Sequence, residues 1–276
     1  MRLAAAGVCH SDLHVIRGTI EKELPIVLGH EGAGRVVEVG PGVTLVKPGD
    51  PVVLSWAPDC GHCRYCVAGR PSLCDHRQPF SDGTLADGTT RLSRAGEPVR
   101  QFTGLGCFSE YAVVSERAAI PIRPEMPLDR AALIGCAVLT GVGAVLFTAR
   151  AEPGCTVAVF GVGGVGLNVV QGATLVNAAR IFAIDTHPRK LEFARRMGAT
   201  DAILATDGDP VREIVARTGG RGVDYAFEAI GLPETMAQAF ACLAKGGTAV
   251  AIGVAPTEAQ VAVPARALVY GERVLR

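Results

Sequence analysis

A glycine-rich turn in the second half of the chain restricts the possible fold more than any other feature. The apolar run Thr156–Phe160 leads directly into residues 161–166 (GVGGVG), and a helix-length stretch follows. In this G-x-G-x-x-G spacing Gly161 allows the tight turn, Gly163 lets the backbone approach a pyrophosphate, and Gly166 permits close helix packing. Because a helix N-terminus also presents unpaired N–H groups and a positive dipole end, the segment predicts a dinucleotide site.

Asp185 indicates which dinucleotide binds. It ends the next apolar run, 19 residues beyond Gly166, where a carboxylate can accept hydrogen bonds from both ribose hydroxyls and repel a 2′-phosphate. NAD is therefore predicted in preference to NADP, although His187 and Arg189 keep the NADP alternative open. The simpler alternative is a glycine-rich turn with a capping aspartate, and the flanking strands argue against it.

The pattern around this turn extends through the whole second half of the chain. From Pro153 onward, short apolar runs alternate with helix-length segments, which is typical of a parallel sheet wound with crossover helices. We therefore predict an α/β fold with a doubly wound parallel (Rossmann) sheet over residues 146–276. The apolar runs are Thr156–Phe160, residues 181–185, residues 202–204, Val223–Glu228 and residues 248–252.

Residues 1–145 have a different pattern. They are rich in glycine, proline and short β-type runs, such as residues 34–39 and 51–55, which indicates an irregular, mostly β domain. Residues 81–102 are polar and contain glycine, so we predict a surface loop there. A length of 276 residues suits this division into two domains.

The overall charge excludes several classes of partner. Lys plus Arg and Asp plus Glu both total 27, so no excess positive field exists to hold nucleic acid or an anionic membrane. The expected partner is a small molecule. Since the N-terminus carries no basic-then-apolar signal pattern, we expect a cytoplasmic location.

Four of the nine cysteines predict a structural metal site. They fall within fifteen residues on a loop that carries several glycines and a proline, which can fold around a tetrahedral ion. Four thiolates at short spacings fit a closed zinc site better than the alternatives, which are redox C-x-x-C pairs or unrelated buried thiols. The predicted ligands are Cys60, Cys63, Cys66 and Cys74.

Spacing alone identifies no catalytic metal site. Cys9 and Cys136 could each be a small buried hydrophobic residue, and His30 could be a satisfied core histidine. The remaining cysteines lie in apolar or strand-edge settings and are assigned to packing. They are Cys107, Cys155 and Cys242.

The order of the motifs resembles one family. Residues 7–14 (GVCHSDLH), residues 29–34 (GHEGAG), the four-cysteine loop, residues 135–136 (GC) and the glycine turn look like the zinc-dependent medium-chain alcohol dehydrogenases. The resemblance implies that residues 1–145 form a GroES-like catalytic domain. The segment 81–112 most resembles the branch with the class I and the class III, glutathione-dependent formaldehyde enzymes.

The resemblance also assigns roles to single residues. It implies that Cys9, His30 and Cys136 bind the catalytic zinc, the Cys₂His set known from alcohol dehydrogenases. Asp12 and Glu31 resemble the carboxylates that orient the ligands and tune the ion. The other implied roles are a proton relay of Ser11 and His14, a pyrophosphate contact of His10, a pocket or nicotinamide contact of Trp56, and cofactor contacts of Thr140, Gly164, Val165, Lys190, Ile252 and Val254.

The implied activity is the reversible, NAD-dependent and zinc-dependent oxidation of an alcohol to an aldehyde or ketone, with two zinc ions per subunit. Zinc would polarise the alcohol oxygen, Ser11 would take the proton, and hydride would pass to the nicotinamide. One alternative is a dehydrogenase of S-hydroxymethyl thiol adducts that uses the same site. Family members extend beyond both ends of this chain, so the second alternative is a shortened, non-catalytic zinc- and nucleotide-binding remnant.

The family resemblance further implies a homodimer or homotetramer. The apolar residues 267–270 are the candidate subunit contact, and their alternative is an ordinary last strand of the sheet.

Overall fold

The computed structural model describes residues 1–276. Internal packing divides the chain into two units, Met1–Cys136 and Ala137–Arg276. The division lies before the predicted boundary at residue 145 because the helices that follow Cys136 pack on the second unit. There, an added Cβ on Gly141 would lie 2.5 Å from the Val165 carbonyl oxygen, so the two helices that carry these residues are in close contact.

The first unit is built from short strands and short helices. Its strands are β1 (Arg2–Gly7), β2 (Ile26–Val27), β3 (Glu31–Arg35), β4 (Pro51–Leu54), β5 (Leu92–Arg94), β6 (Glu97–Gln101) and β7 (Ala119–Pro121). Its α-helices are α1 (His10–Ile16), α2 (Arg64–Val67), α3 (Gln78–Ser81) and α4 (Leu128–Ala131). Short 3₁₀ helices cover Pro71–Leu73, Phe102–Gly104, Glu116–Ala118 and Ala132–Gly135.

The strands of the first unit form two sheets. An antiparallel sheet has the order β1-β3-β4-β7, and a smaller sheet has the order β2-β6-β5. The core of this unit packs on β4, whose Val52 and Leu54 are fully buried against Leu105 and Cys107. The predicted mostly β architecture of this half is therefore confirmed.

The predicted surface loop over residues 81–102 is wrong in part. Strands β5 and β6 form an antiparallel hairpin within it, and Ala95 and Gly96 occupy the turn with positive φ. The sequence pattern does not indicate this hairpin, because β5 has only three residues and β6 contains a proline, which weakens the strand pattern. Val99 and Gln101 of β6 are buried.

The second unit contains the regular α/β pattern. Its strands are β8 (Thr156–Phe160), β9 (Arg180–Asp185), β10 (Asp201–Leu204), β11 (Val223–Glu228), β12 (Leu243–Ala251) and β13 (Val274–Leu275). Its α-helices are α5 (Ala137–Gly143), α6 (Gly164–Leu175), α7 (Pro188–Arg196), α8 (Pro210–Arg217), α9 (Pro233–Ala241) and α10 (Ala265–Tyr270), and a π-helix covers Ala144–Ala149.

All six strands pair in parallel, in the order β10-β9-β8-β11-β12-β13. Alternate side chains of β8 enter two different cores, Val157 and Val159 on one face and Ala158 and Phe160 on the other. A sheet buried on both faces requires such continuously apolar strands. The doubly wound fold predicted from the sequence is therefore confirmed.

The structure excludes one of the two alternatives for residues 267–270, that of a last sheet strand. These residues lie in the helix α10, which begins directly after Pro264, a residue type that is tolerated at a helix start. Leu268, Val269 and Tyr270 are exposed on it. The sheet ends with the two-residue strand β13.

No single helix in the structure is both long and apolar enough to cross a membrane. One bent pair of helices, Leu128–Gly135 and Ala137–Ala149, meets that test by length and composition alone.

Candidate metal centres and nucleotide site

Four side chains from three separate parts of the sequence meet in the first unit. The ligand atoms of Cys9, His30, Glu31 and Cys136 all lie within 4.8 Å of one another, and we call this group the distributed cluster. His30, Glu31 and Cys136 are buried, while Cys9 is half-buried. The structure thus brings together the three metal ligands implied by the resemblance and adds a carboxylate to them.

Glycines make the close approach of these elements possible. An added Cβ on Gly135 would lie 2.4 Å from the Leu54 carbonyl oxygen, so only glycine lets the segment that carries Cys136 approach β4 this closely. In the same way, a Cβ on Gly7 would lie 2.2 Å from Glu31 Oε2. Close packing therefore explains why glycine occupies residue 135, just before Cys136, and residue 7, at the end of β1.

Asp12 links two of the cluster's chain segments. Its Oδ2 accepts a hydrogen bond from the Cys9 backbone N–H at 3.0 Å, and its Oδ1 accepts one from Gly29 N–H at 2.9 Å. The same Oδ1 lies 3.5 Å from His30 Nδ1. Nδ1 is buried and makes no hydrogen bond, so Asp12 contacts it only at ion-pair range, and Nε2 is the nitrogen left for a metal.

The charges of the distributed cluster depend on one another. Contacts with Cys136 and His30 lower the pKa of Cys9 to about 3 against the opposing effect of burial. Burial alone would lower the pKa of His30, but Asp12 and the Cys9 thiolate raise it to about 9. Burial and the charge of Cys9 raise the pKa of Glu31 to about 7. A cation at this position would compensate the buried negative charge, so the donor set fits a metal ion.

The residues of the implied relay lie on α1, directly after Cys9. Ser11 Oγ is 3.7 Å from Cys9 Sγ, which places the hydroxyl at the edge of the distributed cluster. The rings of His10 and His14 meet edge to face, with their centroids 4.8 Å apart. Burial and the nearby charges of His10 and Arg17 lower the pKa of His14, which favours its neutral form.

The second group of ligands is local in sequence. The Sγ atoms of Cys60, Cys63, Cys66 and Cys74 also lie within 4.8 Å of one another, and we call this group the thiol cluster. Backbone N–H groups point at the sulfurs: Cys63 N–H donates to Cys60 Sγ and Cys60 N–H donates to Cys74 Sγ, both at 3.3 Å. The N–H groups of Cys66 and Asp75 lower the pKa of the Cys63 thiol to about 6. Four thiols held by amide donors fit a tetrahedral, closed zinc site.

The glycine turn lies in the second unit between β8 and α6, as predicted. Gly161 has φ of +83°, and an added Cβ on Gly166 would lie 1.8 Å from the Gly161 carbonyl oxygen, so both positions need glycine. A Cβ on Gly163 would meet no atom within 4 Å. The space beside Gly163, at the start of α6, fits an approaching phosphate group.

Asp185 is placed at the end of β9, beside this turn. Its Oδ2 accepts a hydrogen bond from Val162 N–H and its Oδ1 accepts one from His187 N–H, both at 3.0 Å. Lys190 Nζ lies 3.5 Å from the same carboxylate. The capping role and the ribose role that the sequence left as alternatives are therefore compatible, because each oxygen can accept a further hydrogen bond.

The other implied cofactor residues are dispersed within their units. Thr140 and Ile252 line one cavity of about 450 Å³ in the second unit, whereas Val254 is exposed beyond the end of β12. In the first unit, Trp56 is half-buried against the core, and the Arg77 guanidinium lies 4.8 Å from its ring centroid. These contacts are those of a side chain packed on the core.

Glu228 is a buried residue that the sequence interpretation did not single out. Its Oε1 accepts hydrogen bonds from the N–H groups of Ile230 and Gly231, at 3.0 and 2.8 Å. The loop fixed in this way places Ile230 Cγ1 2.4 Å from the position of a Cβ on Gly161, so it borders the glycine turn. The sequence contained a signal for Glu228, because this glutamate ends a predicted parallel strand and ligands bind at the carboxyl ends of such strands.

Comparisons with known proteins agree with these features. The profile of the alcohol dehydrogenase GroES-like domain matches residues 1–124, and that of the zinc-binding dehydrogenases matches residues 164–276. The chain belongs to the zinc-dependent medium-chain alcohol dehydrogenase family. The resemblance recognised in the sequence is thereby confirmed.

Individual members of the alcohol dehydrogenase family are similar to this chain over nearly its whole length. An S-(hydroxymethyl)glutathione dehydrogenase of Synechocystis is 44% identical, covering 99% of this chain and 75% of its own length. One from Escherichia coli O1:K1 is 45% identical, covering 98% of this chain and 74% of its own length. A benzyl alcohol dehydrogenase structure from Acinetobacter calcoaceticus has a TM-score of 0.93 at 30% identity, covering 99% of this chain and 74% of that one.

Proposed function

We propose that this chain catalyses the reversible oxidation of an alcohol to an aldehyde or ketone, with zinc and NAD as cofactors. The observation that carries the proposal is the distributed cluster: the ligand atoms of two thiols, an imidazole and a carboxylate lie within 4.8 Å of one another, and Asp12 lies 3.5 Å from the imidazole. Family membership supports the same reaction class.

In this proposal Cys9, His30 and Cys136 hold the catalytic zinc. When bound there, Zn²⁺ supplies a Lewis acid for the oxygen of the substrate. Ser11 accepts the alcohol proton at its Oγ and at the same time releases its own hydroxyl proton toward the neutral His14 imidazole. Asp12 keeps the His30 ring in one orientation, and Glu31 adds a negative charge that balances the metal.

The thiol cluster holds the second zinc and has no part in the chemistry. Its four sulfurs would complete the tetrahedral shell of a zinc ion and would leave no position open for a substrate. Its metal stabilises the loop over residues 60–74, which contains only two short helices.

NAD binds on the glycine turn of the second unit. Gly161, Gly163 and Gly166 shape the turn, and the start of α6 offers N–H groups to the pyrophosphate. The Asp185 carboxylate, at the end of β9, accepts hydrogen bonds from the ribose hydroxyls and disfavours a 2′-phosphate. Thr140, Lys190, Ile252, Val254 and His10 stay predicted cofactor contacts.

One observation favours a second candidate substrate class. The curated relatives that are 44–45% identical are named S-(hydroxymethyl)glutathione dehydrogenases, so the substrate can be a hydroxymethyl thiol adduct. The reaction type is unchanged, because such an adduct also presents an alcohol carbon to the cofactor.

The deciding experiment is a kinetic panel with NAD on the purified, zinc-loaded chain. NADH formation is followed with ethanol, benzyl alcohol and S-hydroxymethylglutathione, and kcat/KM is compared. A kcat/KM at least about 100-fold higher for the adduct assigns the adduct, and the reverse order assigns simple alcohols. A chain that binds zinc and NAD but oxidises none of them contradicts the proposal and supports a non-catalytic remnant.

The substrate is a small molecule, and we propose no nucleic-acid or membrane partner. A cytoplasmic location stays a prediction. So does a homodimer or homotetramer, for which the exposed Leu268, Val269 and Tyr270 of α10 are the candidate contact.

A further inference from the structure

A third group of metal-binding side chains lies at the edge of the thiol cluster. Ligand atoms of Cys60, His62 and His76 all lie within 4.8 Å of one another. Both histidines are exposed, and their ring centroids are 5.4 Å apart. Neither imidazole belongs to the four-thiol ligand set, so both can contribute to a different site.

The hydrogen bond of His62 leaves one of its ring nitrogens available to a metal. His62 Nδ1 lies 2.8 Å from the Cys60 carbonyl oxygen. A carbonyl oxygen can only accept, so Nδ1 carries the proton and Nε2 presents its lone pair. Histidines that bind metals commonly donate their other ring N–H to a backbone carbonyl in this way.

The backbone of the loop holds the second imidazole beside the first. His76 N–H donates to Cys74 Sγ at 3.4 Å, which ties residue 76 to the same thiol cluster. Ligands of one tetrahedral zinc ion are about 3.5 Å apart, so the group must contract slightly to bind. Exposed imidazoles can do this by small side-chain rotations.

We propose that Cys60, His62 and His76 form an additional, exchangeable site for Zn²⁺ on the solvent side of the thiol cluster. Cys60 is shared between the two sites, because a thiolate sulfur has lone pairs for two metal ions. Two imidazoles and a thiolate suit a borderline cation such as Zn²⁺ better than Mg²⁺ or Ca²⁺, which prefer oxygen ligands. Water completes the coordination, so binding is weaker than in the four-thiol site.

The test counts zinc ions per chain. The full chain, loaded with its resident zinc and freed of excess metal, is titrated with Zn²⁺, and native mass spectrometry gives the stoichiometry. We expect the wild-type chain to take up one more Zn²⁺ than the His62→Asn/His76→Asn variant. Each single variant should weaken this uptake at least about tenfold, since loss of a supporting partner alone has that effect.

The matched control is His187→Asn, which removes an exposed imidazole from the second unit. It should retain the additional Zn²⁺, and all variants should retain the resident zinc of the wild type. Equal zinc uptake in the double variant and the wild type would overturn the proposal. An equal loss in His187→Asn would also overturn it, because uptake would then be unspecific binding to surface histidines. The readout is independent of turnover, so the proposal can fail or stand without the proposed enzymatic function.

Discussion

The distributed cluster and the thiol cluster reach similar ligand numbers by opposite routes. The thiol cluster takes its four cysteines from fifteen consecutive residues, whereas the distributed cluster collects residues 9, 30, 31 and 136. The first is made only of thiols. The second adds an imidazole, a carboxylate and the supporting Asp12, and it has a hydroxyl at its edge.

The difference follows from what each site has to do. A local loop of four thiols can fold around its ion with little help from the rest of the chain, and it leaves no position open. A reactive site needs mixed ligands, supporting groups and access, which only a folded domain can bring together. Loss of a ligand should therefore affect chemistry in the distributed cluster and stability in the thiol cluster.

The largest expected effect is that of His30→Ala on the distributed cluster. Loss of this imidazole removes the catalytic zinc, which provides several kcal/mol of transition-state stabilisation, so alcohol-dependent NADH formation should fall at least about 1000-fold. Metal analysis should show one zinc fewer and an intact thiol cluster. Full turnover in this variant would reject the assigned ligand set.

Cys63→Ser should have the opposite profile. Loss of zinc from the thiol cluster should lower the free energy of unfolding of the first unit by more than about 4 kcal/mol, as measured by denaturant titration. Cys155→Ala, which alters a buried thiol outside both clusters, should retain all the zinc. If Cys63→Ser loses its metal without any loss of stability, the contrast between the clusters is wrong.

Ser11→Ala separates proton transfer from metal binding within the distributed cluster. We expect kcat to fall about 100-fold or more, with zinc content and NAD affinity unchanged, because only the hydroxyl at the cluster's edge is lost. Ser93→Ala on the exposed strand β5 is the control and should behave as the wild type. Unchanged turnover in Ser11→Ala would remove the serine from the relay.

Asp185→Ala has the smallest expected effect and extends the comparison to the glycine turn, which is also local in sequence. Loss of the carboxylate should weaken NAD binding about 10–100-fold and reduce the preference for NAD over NADP. Zinc content should not change. Steady-state kinetics with both cofactors give the answer, and an unaltered preference would count against Asp185 as the selecting group.

The sequence predicted the local features well. The glycine turn, four-thiol loop and most strands of the parallel sheet depend on short spacings and on continuous apolar runs, both of which are visible in one segment. The hairpin of β5 and β6 and the helix α10 were missed because a three-residue strand, a strand that contains proline and a six-residue helix carry too little pattern.

The distributed cluster could not be derived from spacing. Cys9, His30 and Cys136 are each ordinary in their own segments, and only the family resemblance joined them before the structure placed them together. The function of Gly135 is likewise invisible in sequence, because it depends on the Leu54 carbonyl of a distant strand. A single sequence does not show which distant segments will be in contact, and both of these features depend on such contacts.

Zinc K-edge X-ray absorption, combined with metal analysis of the chain freed of weakly bound metal, tests the presence of both centres most directly. The account predicts two zinc ions per chain, one with four sulfur ligands in the thiol cluster and one with two sulfur ligands in the distributed cluster. The average zinc shell should then contain three sulfurs and one nitrogen or oxygen. A single zinc per chain with a shell of four sulfurs would mean that the distributed cluster binds no metal, and would contradict the account.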